Sequence, residues 1–184
     1  MIRILNLWLP FAIGYGIIWA AMIWANRKRE KPIEDPDISK HINKKKFLIF
    51  GFLPHIICFL SSFFVHINIG ILFWIGLPIF VIGVIINLIS MYSFSQTNDD
   101  LNTFGIYRYS RNPMYVGLFL FITGLNLFGW SKSLEFIIFF ILSILWICST
   151  HWSVLQEESF LENKYEDSFR KYKRKVPRYV FKNK

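Results

Sequence analysis

The sequence has little charge and almost no cysteine. Charged residues make up 18% of its 184 residues and hydrophobic residues 54%, whereas an average globular chain is about 25% charged. Its two cysteines, Cys58 and Cys148, lie inside apolar runs, which excludes a small secreted module held together by disulfides. The high hydrophobic content excludes a disordered chain. At this length we expect one folded domain covering residues 1–184.

Charge is almost completely missing from five long stretches, each of which resembles a membrane span. A transmembrane helix needs about 20 mostly apolar residues. The stretches are residues 4–25, 47–67, 69–92, 114–130 and 134–152. The second and third are separated by a very short turn near Asn68, which predicts a helical hairpin. We therefore predict an all-α integral membrane bundle with five transmembrane helices.

The basic residues indicate the orientation of these spans. Most of the 21 lysines and arginines lie in the loop between the first two spans and after the last one, and the loop between the third and fourth spans carries two more. Loops rich in Lys and Arg stay in the cytoplasm, so we expect an outside N-terminus and a cytoplasmic C-terminus. We expect a bacterial or archaeal inner membrane, or the endoplasmic reticulum of a eukaryote. The basic excess then flanks anionic lipid rather than nucleic acid.

The segment 97–117 before the fourth span is unusually rich in polar and aromatic residues. Pro113 fits the first turn of a helix, and Asn112 before it is a candidate N-cap. Next to Arg111, this positive helix end suits a carboxylate or another anion. The alternative is a juxtamembrane loop with snorkelling arginines and interfacial tyrosines.

The segment after the fifth span has the pattern of an amphipathic helix. Its apolar stripe consists of Val154, Leu161, Tyr165, Phe169, Tyr172 and Val176. No member of the stripe lies between Val154 and Leu161, and Glu157 or Glu158 fills this gap. One carboxylate therefore faces inward and needs a partner. Arg108 and Arg111 are the candidate partners. The alternative is a solvated glutamate pair that favours the helix dipole.

Two motifs together resemble isoprenylcysteine carboxyl methyltransferases and their prokaryotic relatives. That family has the pattern G-x-Y-x-x-x-R-H-P-x-Y-x-G, then a Glu-Glu pair, then Y-x-x-Y-x-x-x-x-P-R. The matching positions are Gly105, Tyr107, Arg111, Pro113, Tyr115, Gly117, Glu157, Glu158, Tyr172, Pro177 and Arg178. The resemblance covers about residues 103–179. Asn112 replaces the family's usual histidine, which excludes a role that needs imidazole there but not a hydrogen-bonding role.

The resemblance implies an integral membrane methyltransferase that uses S-adenosylmethionine and takes its substrate from the bilayer. The implied catalytic residues are Arg111 and Glu158. The implied cofactor-binding residues are Gly105, Tyr107, Arg111, Asn112, Pro113, Tyr115, Gly117, Glu157 and Glu158. Arg111 would hold a carboxylate, a glutamate would pair with the cofactor's amino group, and Gly117 would allow its close approach. No metal-ligand spacing is present, so we expect no metal.

The chemistry of the methyl acceptor stays open at this point. The resemblance favours carboxyl O-methylation of a prenylcysteine or another lipidic substrate, and an ionised carboxylate needs no general base. The alternative is an amine or phenol acceptor, such as a phospholipid amine, for which Glu158, His151 or a tyrosine would take the proton. Two other classes also remain: a reductase-like membrane enzyme with a nicotinamide cofactor, and a non-catalytic scaffold.

Overall fold

The described part of the chain is helical. The structure is a computed structural model that describes residues 6–28, 49, 52–97 and 101–180. Its helices are α1 (Trp8–Lys28), α2 (Leu53–Ser61), α3 (Ile71–Ser95), α4 (Pro113–Phe128) and α5 (Leu134–Lys175), with a short 3-10 helix at Gly105–Arg108. Within these ranges the only β-type pairing is a single bridge between Asn6 and His66. The all-α prediction is therefore confirmed for the described residues.

Three helices, α1, α3 and α5, are long and apolar enough to cross a membrane. Many of their large apolar side chains are exposed, including Trp74 of α3 and Ile141 of α5, and form the surface that lipid would cover. The 16 residues of α4 are also apolar but shorter than a typical span. The described part of the second predicted span is the nine-residue α2, and most of residues 47–52 lie outside the described residues. Five spans therefore remain a prediction.

The predicted hairpin between the second and third spans is wrong. Helix α2 packs against α5, whereas α3 packs against α4 and α1. The irregular residues between α2 and α3 are bound to other elements instead. Val65 accepts a hydrogen bond from the Leu7 amide at 2.9 Å, and the Asn68 amide donates to the Phe128 carbonyl at 2.8 Å. These bonds hold the connection between the start of α1 and the end of α4, so α2 and α3 separate.

Helices α3 and α4 approach each other closely because glycines face the interface on both. A Cβ atom on Gly124 of α4 would lie 2.8 Å from the backbone nitrogen of Phe80. A Cβ atom on Gly83 of α3 would lie 2.7 Å from the carbonyl oxygen of Gly117. Real Cβ atoms keep larger distances, so this contact depends on glycine.

The segment after the fifth predicted span folds back on itself. Glu166 has a φ of 42° and breaks the helical path within α5. Arg178 consequently lies 2.9 Å from Glu158, although 20 residues of straight helix would span about 30 Å. The single amphipathic helix that we predicted is thus two pieces. Its predicted apolar stripe from Leu161 to Val176 packs into one cluster with Leu101, which gives the reversal an apolar core.

The fold places the unusual residues at one end of the bundle. The end of α1 lies there, because the Lys28 ammonium is 5.6 Å from the ring of Tyr92 near the end of α3. The 3-10 helix, the start of α4 and residues 167–180, which we term the return segment, share that end. The segments predicted to be cytoplasmic therefore lie together wherever they are described.

Candidate functional site

Glu158 is the centre of a buried polar cluster formed by Arg111, Asn112, Glu158 and Arg178. Only 4% of Glu158 is exposed. Its Oε1 accepts from Arg111 Nε at 3.0 Å and from Asn112 Nδ2 at 2.9 Å. Its Oε2 accepts from Arg178 Nε at 3.0 Å. The carboxylate therefore joins α5 to the start of α4 and to the return segment.

These partners keep Glu158 ionised. Burial by itself would raise the pKa of this carboxyl, but the hydrogen bonds and charges of Arg178 and Arg111 outweigh it. The resulting pKa lies below the ordinary value of a glutamate. A carboxylate held in this way is a strong acceptor of hydrogen bonds and a weak acceptor of protons.

Arg111 is held firmly by the return segment. Its Nη1 donates to the Val176 carbonyl at 2.8 Å and to the Lys173 carbonyl at 3.1 Å, and its backbone amide donates to the Pro177 carbonyl at 2.9 Å. Its side chain is 7% exposed, whereas that of Arg178 is 34% exposed. Arg111 is thus a fixed part of the cluster, and Arg178 is its more accessible cation.

The residues at the start of α4 position Arg111 and Asn112 beside Glu158. Pro113 is the first residue of the helix, as predicted, and Asn112 occupies the N-cap position. The Asn112 side chain makes no capping bond and donates to Glu158 instead. Its backbone amide donates to the Arg178 carbonyl at 3.1 Å. The anion beside this helix end is therefore the chain's own Glu158.

The predicted tyrosines also converge here, with different partners. The Tyr115 hydroxyl donates to Glu157 Oε2 at 2.9 Å. Tyr107 is buried, and its carbonyl accepts from the Tyr172 hydroxyl at 2.6 Å. The two adjacent glutamates thus belong to two parts of one site, because Glu157 binds a tyrosine while Glu158 binds two arginines.

The two glycines predicted for the site are explained by local geometry. Gly105 has a φ of 57°, and a Cβ atom there would meet the Ser93 hydroxyl. Gly117 faces α3, where a Cβ atom would overlap the Asn87 side chain and lie 2.7 Å from the Gly83 carbonyl oxygen. Helix packing alone therefore requires glycine at position 117, and its contact with a cofactor stays a prediction.

Of the two candidate partners for the inward carboxylate, Arg111 is the one that binds it. Arg108 is exposed, with its guanidinium 5.9 Å from the centre of the Phe104 ring. Sequence reasoning did not assign Arg178 to the site, although the Pro-Arg ending marked it. It also missed Tyr179, whose hydroxyl lies 2.7 Å from His151 Nδ1. Neither the Glu158–Arg178 pair nor the His151–Tyr179 pair has the spacing of neighbours on one helix. Both pairs depend on the reversal at Glu166.

The charges of the site suit a zwitterionic ligand. Two guanidinium groups share the Glu158 carboxylate, so the polar cluster has a surplus positive charge that favours an additional anion. Glu157, bound to a neutral phenol, supplies negative charge nearby. Among residues 6–28, 49, 52–97 and 101–180, no three His, Cys, Asp or Glu side chains are grouped to hold a metal ion.

One of the comparisons with known proteins gives a match. The family model described as phospholipid methyltransferase matches residues 48–168. The match includes Arg111, Asn112, Glu157 and Glu158 and ends at residue 168, within the first two residues of the return segment. No curated protein and no solved structure matches the chain. The finer resemblance to isoprenylcysteine methyltransferases therefore stays a prediction.

Proposed function

Because the chain belongs to the phospholipid methyltransferase family, we propose that it transfers a methyl group from S-adenosylmethionine to a lipidic acceptor. The family indicates a methyltransferase, and the apolar helices agree with an integral membrane protein.

One observation carries this proposal. Glu157 and Glu158 of α5 meet the start of α4 at a single buried site, and the return segment covers it. Structural ion pairs alone would not require two neighbouring carboxylates with a tyrosine on one and two arginines on the other. The arrangement offers separate places for an amino group, a carboxylate and an aromatic ring, which are the groups that S-adenosylmethionine carries.

The residues divide naturally between these groups. Arg178, the more accessible cation, would bind the cofactor's carboxylate, and Arg111 would hold Glu158 in place. Glu157 would bind the amino group, and Tyr107 and Tyr115 would pack against the adenosine. The bound cofactor supplies an electrophilic methyl group on sulfur. The chain itself orients that group and excludes water, and such positioning supplies much of the rate enhancement.

Calorimetric titration of the detergent-purified protein with S-adenosylhomocysteine tests the proposal. We expect saturable binding by the wild type and at least about 30-fold weaker binding by Arg111→Ala and Glu158→Gln, since truncating a buried charge pair costs about 2 kcal/mol or more. Glu162→Gln, one helical turn further along α5 and outside the polar cluster, is the matched control. A folded wild-type protein that binds no S-adenosylhomocysteine would contradict the proposal.

We further propose that the site faces the cytoplasm, as the distribution of basic residues predicts. A cysteine-free background with one new cysteine tests this orientation in intact cells. Lys132→Cys, between α4 and α5, should react with a membrane-impermeant maleimide. Asn163→Cys, near the site end, should react only after the cells are permeabilised. The reverse labelling pattern would contradict the orientation.

A further inference from the structure

Two basic side chains at the site end of the bundle lie against aromatic rings. The Lys28 ammonium is 5.2 Å from the centre of the Trp24 ring and 5.6 Å from the centre of the Tyr92 ring. The Arg108 guanidinium lies 5.9 Å from the centre of the Phe104 ring. All five side chains are exposed. Each cation is therefore held beside an aromatic face while it remains accessible from outside the bundle.

The two groups are neighbours at the end of α3. Ser93 follows Tyr92 directly, and a Cβ atom on Gly105 would lie only 3.0 Å from the Ser93 Cβ. The 3-10 helix that begins at Gly105 therefore sets Phe104 and Arg108 beside the end of α3. With one further exposed tyrosine, these side chains form what we term the aromatic–cation patch, which consists of Trp24, Lys28, Tyr92, Phe104, Arg108 and Tyr109.

The elements that carry the patch have positive charge and no acid of their own. Helices α1 and α3 and the 3-10 helix contain no Asp or Glu. Lys164 of α5 also lies over an aromatic ring, but three acids lie within three residues of it on that helix: Glu162, Glu166 and Asp167. The patch is thus the cationic and aromatic surface that best complements an external anion.

The patch lies where two apolar helices end. Trp24 is in the last turns of α1, and Tyr92 is in the last turn of α3. Tryptophan and tyrosine favour the level of the lipid headgroups, where the charge of a lipid phosphate lies. Below this level α1 and α3 expose apolar side chains, such as Ile23 and Ile85. Positive charge above and apolar surface below together fit an anionic phospholipid.

We propose that the aromatic–cation patch binds an anionic phospholipid such as phosphatidylglycerol. Lys28 and Arg108 bind its phosphate, and its acyl chains lie along α1 and α3. The Tyr107 carbonyl of the 3-10 helix accepts a hydrogen bond from Tyr172 of the return segment. A lipid bound at Arg108 therefore also steadies the 3-10 helix that adjoins the candidate site. This inference does not depend on the proposed methyl transfer.

Spin-labelled lipids test the preference. The protein is reconstituted in phosphatidylcholine vesicles with a small fraction of spin-labelled phosphatidylglycerol or phosphatidylcholine, and electron spin resonance separates the lipid held by the protein from bulk lipid. We expect the wild type to hold phosphatidylglycerol at least about twofold more strongly, since a basic side chain near the headgroups favours an anionic lipid by about fivefold at its own position. The double variant Lys28→Gln/Arg108→Gln should lose most of this preference.

A second double variant separates the patch from the general basic charge of this end. Lys171→Gln/Arg174→Gln removes one lysine and one arginine from exposed positions of the return segment and should keep the preference. Phe104→Leu retains the charge of Arg108 but removes its ring, and should lower the preference in part. The thermal unfolding midpoint of each variant shows that it is folded.

Three results would overturn the inference. One is a wild type that holds the two lipids equally. Another is an equal fall of the preference in both double variants, since the patch would then have no special role. The third is loss of the wild-type preference when millimolar glycerol phosphate is added, because the patch would then bind a free phosphate in place of a lipid.

Discussion

Glu158→Ala should lower the free energy of unfolding by about 3–5 kcal/mol, the usual cost of removing one partner from a buried ion pair. The carboxylate is 4% exposed and accepts hydrogen bonds from Arg111, Asn112 and Arg178. Without it, two guanidinium groups face each other with no anion between them. Denaturant unfolding of the purified protein in mild detergent, followed by circular dichroism, measures the change.

Glu162→Ala is the matched control for this variant. Glu162 also contacts two cations, Lys173 at 3.0 Å and Arg170 at 3.5 Å, but this group lies near the surface, where ion pairs contribute little. A second check uses pH. Since the folded pKa of Glu158 is lowered, its stabilisation is complete above the unfolded value of about 4.3 and disappears as pH falls through the folded pKa. The wild type should therefore lose more stability upon acidification than Glu158→Ala does. Equal stability losses in Glu158→Ala and Glu162→Ala would contradict the central position of Glu158.

Gly124→Ala should lower the free energy of unfolding by about 3 kcal/mol or more, because the new methyl group meets the backbone of Phe80 in α3. Its Cβ would lie 2.6 Å from the Phe80 Cβ and 2.8 Å from the Phe80 nitrogen. Overpacking a tight interface costs about 1–3 kcal/mol even when side chains can move, and a helix backbone moves less. The midpoint of thermal unfolding in detergent measures the effect.

Gly16→Ala provides the comparison for Gly124→Ala. Gly16 also lies inside an apolar helix, but a Cβ atom there has no neighbour within 4 Å. The same chemical change should therefore leave the unfolding midpoint unchanged or slightly higher, since alanine favours helix more than glycine does. If both alanine variants unfold at the same temperature, the close approach of α3 and α4 is not what stabilises the bundle.

Much of the fold follows from the sequence because helix formation in an apolar stretch is a local property. Uncharged stretches predicted α1, α3, α4 and the apolar half of α5 to within a few residues. The packing of α2 did not follow, because it depends on backbone bonds such as that between Asn68 and Phe128. Neither residue carries a pattern that predicts the other as its partner.

The candidate site was predicted in its parts rather than in its assembly. The inward carboxylate was deduced from a gap in an apolar stripe, and Glu158 is indeed buried and bound to Arg111. The second arginine required the reversal at Glu166, a non-glycine residue with a positive φ. Glutamate has no special preference for that conformation, so no sequence signal pointed to it. The catalytic and cofactor roles of these residues stay predictions.

The reversal at Glu166 also sets the order in which the molecule is completed. The hydrogen-bond acceptors for the backbone amides of Arg111 and Asn112 come from Pro177 and Arg178, more than 60 residues later in the chain. During synthesis, the amides of Arg111 and Asn112, which directly precede α4, therefore lack these acceptors until Pro177 and Arg178 have been added to the chain. The polar cluster forms only when the last part of the described chain arrives. Assembly of the site thus depends on residues that follow every described apolar helix in the sequence.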